Sequence, residues 1–175
     1  VRDKSKFFLD KRVCSLFNLT AVDAVNNWLA TKRRSEMAER DIDEQVKHDH
    51  IIYILIKRCY HYPNPAHPHL ITFANHPVKT KAVRDGMGKE LFPDIVVLNG
   101  ESGKLVTVVE VETETTVEQD EAQEWQRFAA LGARFYLYVP RGLGTKADML
   151  CRNLTISEIV QYYYDGKHYV LERFR

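Results

Sequence analysis

The sequence is poor in cysteine, glycine and long apolar runs. Its 175 residues hold three cysteines, Cys14, Cys59 and Cys151. An odd, scattered set is no disulfide framework and fits reduced thiols in a cytoplasmic protein. The longest apolar run, Ile51–Ile56, is far short of the ~20 residues of a membrane span, so no membrane partner is expected. Val1–Phe8 carries four charged side chains and does not read as a secretory signal. No glycine-rich loop precedes a helix, which argues against nucleotide hydrolysis; Arg141-Gly-Leu-Gly reads as a turn. Repeats and low-complexity tracts are absent. With 45% hydrophobic and 28% charged residues, the chain is not intrinsically disordered, and its length suits one domain spanning 1–175.

Net charge is also nearly absent, at +1, but it is unevenly placed. Residues 1–92 carry 16 Lys+Arg against 11 Asp+Glu, and residues 93–175 carry 9 against 13. Seven acids and no base lie between Glu110 and Glu124. Part of that run falls on a strand, where a mere solvated face is a less complete account.

The pattern along the chain predicts an α/β fold with a mixed sheet flanked by helices. A helical N-terminal segment (1–40) contains a helix over Thr20–Arg34, capped by Thr20 and ending in Lys32-Arg33-Arg34. A core (41–139) begins with a long helix over Asp41–Tyr60, buried on most sides toward its end, although Ile51–Ile56 would equally suit a strand. Three prolines make Tyr62–His69 a loop. Strands are predicted over Leu70–Ala74, Leu91–Leu98 and Leu105–Thr113, the last two forming a hairpin through Asn99-Gly100 and Ser102-Gly103. Thr116-Val-Glu-Gln119 reads as a capping box opening a helix to Leu131, which Gly132 stops. A strand over Arg134–Val139 then lies parallel to the one before the helix. A C-terminal part (140–175) adds a short helix over Thr145–Leu154 and a hairpin whose two-residue turn is Asp165-Gly166.

The central hairpin carries the chemistry. Alternation puts Glu110 and Glu112 on one face, ~7 Å apart, with Val109 and Val111 on the other. Asp94 starts the partner strand and can lie beside Glu110. Three unbalanced carboxylates repel one another and call for a cation, with oxygen donors suiting Mg²⁺ or Mn²⁺. On this reading Asp94→Asn relieves repulsion and leaves metal-free protein at least as stable.

Pro93-Asp94 followed by Glu110-Val111-Glu112, in the order helix, strand, strand, strand, helix, strand, resembles the PD-(D/E)xK nuclease superfamily with its restriction-endonuclease-like core. Glu112 stands where that family has lysine. The resemblance implies a metal-dependent nuclease, DNA its expected substrate. Asp94, Glu110 and Glu112 with the carbonyl of Val111 would hold the metal. It further implies catalytic parts for Glu44 on the first core helix and Gln126 on the helix after the motif. Lys79, Lys81, Arg84 and Lys89 are candidates to meet nucleic acid, and the aromatic run Tyr162-Tyr-Tyr164 either stacks on bases or pairs across strands. The alternatives are a catalytically inactive module of the same fold that binds nucleic acid or a protein, and a zinc-stabilised interaction protein built on Cys59, His61, His67 and His69, with His48, His50 and His76 nearby. A homodimer stays open.

Overall fold

The ambiguous run Ile51–Ile56 is helical. It lies in helix α1 (42–58) of the computed structural model, which describes residues 42–175. The expected helix over Thr20–Arg34 and Cys14 lie outside the described residues. Ile51, Ile52 and Leu55 are at most 2% exposed, whereas Tyr53 is 59% exposed and Lys57, Arg58 and Cys59 face solvent. The helix is therefore buried along one stripe, at spacings of one, three and four residues, and not on most sides as expected.

Eight strands follow: β1 (Leu70–Ala74), β2 (Val83–Arg84), β3 (Glu90–Leu91), β4 (Ile95–Asn99), β5 (Leu105–Val111), β6 (Arg134–Pro140), β7 (Glu158–Tyr164) and β8 (Tyr169–Arg173). Two further helices, α2 (Gln119–Ala129) and α3 (Gly144–Leu150), fall between β5, β6 and β7. Six strands form one mixed sheet in the order β1-β4-β5-β6-β7-β8, while β2 and β3 make a separate ribbon. β1, β4 and β5 are successively antiparallel; β6 and β7 run parallel to β5, and β8 turns back. The unit Glu44–Arg175 holds all of these strands, α2 and α3.

Four local expectations are corrected. The strand over Leu91–Leu98 is broken at Phe92-Pro93-Asp94, because Pro93 has no N–H for a ladder; Leu91 joins the ribbon and β4 starts only at Ile95. The capping box does not form. The Thr116 hydroxyl accepts the Thr113 N–H at 2.8 Å, and α2 begins at Gln119 with no side chain capping it. The short helix α3 ends at Leu150, not Leu154. The last hairpin joins Tyr164 to Tyr169 through four residues, with Asp165 accepting the N–H groups of Lys167 and His168 and Gly166 at φ +97°.

Side chains alternate across the sheet into two cores. Val109 and Val111 of β5 pack with Ile51, Leu55, Ile95 and Tyr138 on the α1 side. Val108 packs with Val96, Trp125, Phe128 and Phe135 on the α2 side. Burying a large apolar side chain is worth ~1.5–3 kcal/mol. With both faces covered, the ends of β4 and β5 are held in place, and the polar residues there inherit that rigidity. Val83 and Leu91 join the α2-side core, which anchors the β2–β3 ribbon beside those strand ends.

Candidate functional site

Ile95 pairs with Val109, so the residue before Ile95 falls opposite Glu110. Asp94 is thereby fixed at the point where β4 begins and β5 ends. Its N–H donates to Glu110 Oε2 at 3.3 Å. Its carboxylate is 2% exposed and well supplied with donors. Oδ2 accepts from the Val111 N–H at 2.7 Å and from His48 Nε2 at 3.2 Å; Oδ1 accepts from His76 Nε2 at 3.0 Å. Burial works to raise the Asp94 pKa, but the hydrogen bonds and charge of His48 and His76 outweigh it and hold the group below the ordinary aspartate range. Asp94 is thus ionised and tethered.

The two glutamates of β5 differ from it. Burial pushes the Glu110 pKa well above the ordinary range, and the charges of Asp94 and Glu112 add to the rise. Glu112 is 4% exposed, and its Oε1 accepts the Trp125 indole N–H at 2.6 Å. Burial pushes its pKa up to about 8 despite hydrogen bonds from Thr116 and Trp125. Glu110 and Glu112 have no cationic side chain bonded to them among the described residues.

A cavity of about 380 Å³ opens at this end of the sheet. Four carboxyl groups, Glu90, Asp94, Glu110 and Glu124, line it with His76 and three cations, Lys79, Lys89 and Arg127. Glu112 does not, so two of the three expected carboxylates converge on the cavity and the third is turned under α2. Of the four expected basic residues, Lys79 and Lys89 reach it. Lys81 lies instead over the Phe73 ring, and Arg84 pairs with Glu90 at 3.2 Å. Gln126 is exposed and absent from the lining; α2 contributes Glu124 and Arg127 instead. Glu44 is not in the lining either, and accepts from the Thr115 hydroxyl at 2.5 Å. The tyrosines of β7 and β8 pair across strands: Tyr164 meets Tyr169 with ring centroids 5.4 Å apart, and Tyr162 is buried.

The residue that α1 does bring to Asp94 is His48, one turn after Glu44. Its spacing from Ile51, Ile52 and Leu55 places it on the buried stripe, a signal present in the sequence once helix is chosen over strand. Burial alone would lower its pKa. Hydrogen bonds and charge from Asp94, then Asp49, overcome that and push it up to about 9. His76 reaches the same carboxylate from the segment after β1, which sequence spacing alone does not reveal. Cys59, His61, His67 and His69 do not come together as a set of three or more ligands within reach of one ion. Among the described residues the one set of three or more His, Cys, Asp or Glu ligands within reach of one ion is His48, Asp49 and His76. Cys59 is exposed and Cys151 buried, and neither forms a disulfide.

Asp94 and Glu110 suit a hard divalent cation. Asp94 Oδ1 takes one hydrogen bond and keeps a free lone pair. Glu110 is raised first by burial and then by the negative charges of Asp94 and Glu112, and a cation would answer those charges. The Val111 N–H points at Asp94, and a strand residue turns its C=O to the same edge as its N–H. Glu112, committed to Trp125, is not part of this donor set. Comparisons of the chain with family models, with curated proteins and with solved structures find no match.

Proposed function

We propose that the chain is a divalent-cation-dependent nuclease domain with a restriction-endonuclease-like core, acting on nucleic acid, with DNA as the expected substrate and Mg²⁺ or Mn²⁺ as the cation. The observation that carries this reading is the pairing of Asp94 and Glu110 at the mouth of a cavity that also presents Lys79, Lys89 and Arg127. Carboxylates alone repel a phosphodiester; cations beside them attract its backbone. The order α1, β1, β4, β5, α2, β6 supports the same reading.

Asp94, Glu110 and the Val111 carbonyl would hold the cation. When bound, such an ion lowers the pKa of a water and offsets charge building on the phosphate. His48 and His76 orient Asp94 and keep it ionised. Lys79, Lys89 and Arg127 position the phosphate. Glu112 braces β5 against α2 through Trp125, and does not take the part of the motif lysine.

That last point favours a second reading, a nucleic-acid-binding module of this fold without chemistry. The test is cleavage of single- and double-stranded DNA and RNA in Mg²⁺, in Mn²⁺ and in chelator. Cleavage is expected with metal only, and Asp94→Asn and Glu110→Gln should each lower it on the order of 100-fold or more, because each removes a charged ligand. Salt-sensitive binding with no cleavage of any form would establish the second reading. Neither binding nor cleavage would sink both.

A further inference from the structure

Beside the nuclease-like donor set lies a second one of different chemistry. It is built from α1 and from the segment after β1, and it does not depend on the nuclease reading. His48 Nδ1 and His76 Nδ1 each lie 3.5 Å from Asp49 Oδ1. One ligand atom from each of these three residues lies within 4.8 Å of the other two. A separation of 3.5 Å makes a weak, stretched hydrogen bond. It is close to the edge of a tetrahedron around zinc, about 3.3 Å for bonds of 2.0–2.1 Å.

The imidazoles are also turned the right way. Their Nε2 atoms both reach Asp94, His48 at 3.2 Å and His76 at 3.0 Å. An ionised carboxylate only accepts, so both Nε2 atoms carry hydrogen. With Nε2 holding its hydrogen, Nδ1 is the atom left for a metal, which would displace the proton that His48 carries there in the metal-free chain, and both Nδ1 atoms face Asp49. A carboxylate behind a ligating histidine is how metal sites fix tautomer and ring angle. Here one buried carboxylate does so for two rings, which stand edge to face with centroids 4.5 Å apart.

We propose that His48, Asp49 and His76 bind a borderline first-row ion such as Zn²⁺ or Co²⁺, with Asp94 as the carboxylate that orients both imidazoles. Two imidazoles and one carboxylate suit these ions and not Mg²⁺. The side chains of Asp49 and His76 are 31% and 33% exposed, so an ion has a path in. The Gln45 amide lies 2.8 Å from Asp49 Oδ1 and 3.5 Å from His76 Nδ1. Turned over, its oxygen supplies a fourth ligand; a water is the alternative. Because His76 also lines the cavity, the ion would tie α1 to the wall of that cavity.

The test titrates the chain with Co²⁺ alone, reading the ligand-field absorption of four-coordinate cobalt, then adds Zn²⁺ to displace it. Expected is one Co²⁺ per chain, lost to Zn²⁺. Asp49→Asn and His76→Gln should each weaken binding on the order of 10–100-fold or more. Both positions are partly exposed, and circular dichroism checks their folds. Glu110→Gln should bind Co²⁺ as the original chain does, which separates this site from the carboxylate pair. Absence of a stoichiometric cobalt spectrum overturns the proposal. So does binding that survives Asp49→Asn and His76→Gln, or binding that Glu110→Gln removes.

Discussion

Asp94 and Glu112 are both buried carboxyl groups at one end of the same two strands, at 2% and 4% exposure, yet their environments drive them in opposite directions. Asp94 faces α1 and accepts from two imidazoles and a backbone N–H, which keep it ionised. Glu112 faces α2, accepts from neutral donors, the Thr116 hydroxyl and the Trp125 indole, and is pushed up to about 8 by burial. Glu110 lies between them and is raised as well. Burial cost is thus offset on one side of the strand pair and left standing on the other. Repulsion among carboxylates cannot be judged from their spacing alone; the donors decide it.

The largest expected effect on stability comes from replacing Asp94. An asparagine in its place keeps one acceptor and presents an NH₂ to donors that needed an oxygen. It also strands His48, whose charge Asp94 answers. Breaking one member of a buried charged network costs on the order of 3 kcal/mol. Asp94→Asn should therefore lower the stability of metal-free protein by about that amount at pH 7, read from denaturant or thermal melts in chelator. This reverses the expectation from sequence that the substitution is neutral or favourable. Unchanged or raised stability would show that the imidazoles do not hold Asp94 in solution.

That reversal marks what sequence patterning can and cannot show. Alternation in Val108-Val-Glu-Val-Glu112 and the turn residues before it place Glu110 and Glu112 on one face and pair β5 with β4, because both signals are local. The capped-looking helix between two apolar runs likewise implies the parallel step from β5 to β6. Ligand-supplying contacts are different. His48 and Asp94 are 46 residues apart, and no spacing rule links a helix stripe to a strand end. His76 reaches Asp94 because the buried Asn75 before it donates its backbone N–H to the Asp94 carbonyl and its side-chain amide to the Pro93 carbonyl, which holds this irregular segment beside the start of β4. Pro93 could have been read as the break that delays β4, since a proline without N–H fits poorly inside a strand. Thr116 was misleading for a physical reason: its hydroxyl satisfied the nearby turn before it could cap a helix.

A smaller effect, of opposite sign, is expected at Glu112. Its folded pKa lies near 8, above the 4.5 of an unburied glutamate. Below pH 4.5 the carboxyl is protonated in both folded and unfolded chains and costs nothing. As pH rises toward 8 the unfolded chain releases a proton that the folded chain keeps, so stability falls. Loss of the His48 contribution runs the same way, present below pH 6.5 and lost as pH rises through about 9. Glu112→Gln keeps an oxygen for the Trp125 N–H and removes the titration. It should stabilise metal-free protein by about 2 kcal/mol at pH 6 and leave it unchanged at pH 4. Melts of both proteins across that range check it; a gain that is the same at both pH values would mean that burial of the charge is not what raises Glu112.

The smallest effect separates two neighbours on α2. Arg127 lines the cavity with Asp94 and Glu110 and lies 3.8 Å from Glu124, whereas Gln126 faces solvent. Both positions lie on the helix surface, so Arg127→Ala and Gln126→Ala should each change stability by less than about 0.5 kcal/mol. Binding should tell them apart. If the cavity takes a phosphate, losing Arg127 removes one cation from its wall. Affinity for nucleic acid should then fall severalfold, and the dependence of log affinity on log salt should become shallower by about one ion. Gln126→Ala carries no charge change and touches nothing in the cavity, so both its affinity and its salt slope should match the original chain. Titrations of a short DNA at several salt concentrations measure both. A loss at Gln126 equal to that at Arg127 would place the bound strand across the outer surface of α2 and away from the carboxylate pair, which would undo the assignment of this cavity as the place where a phosphodiester sits.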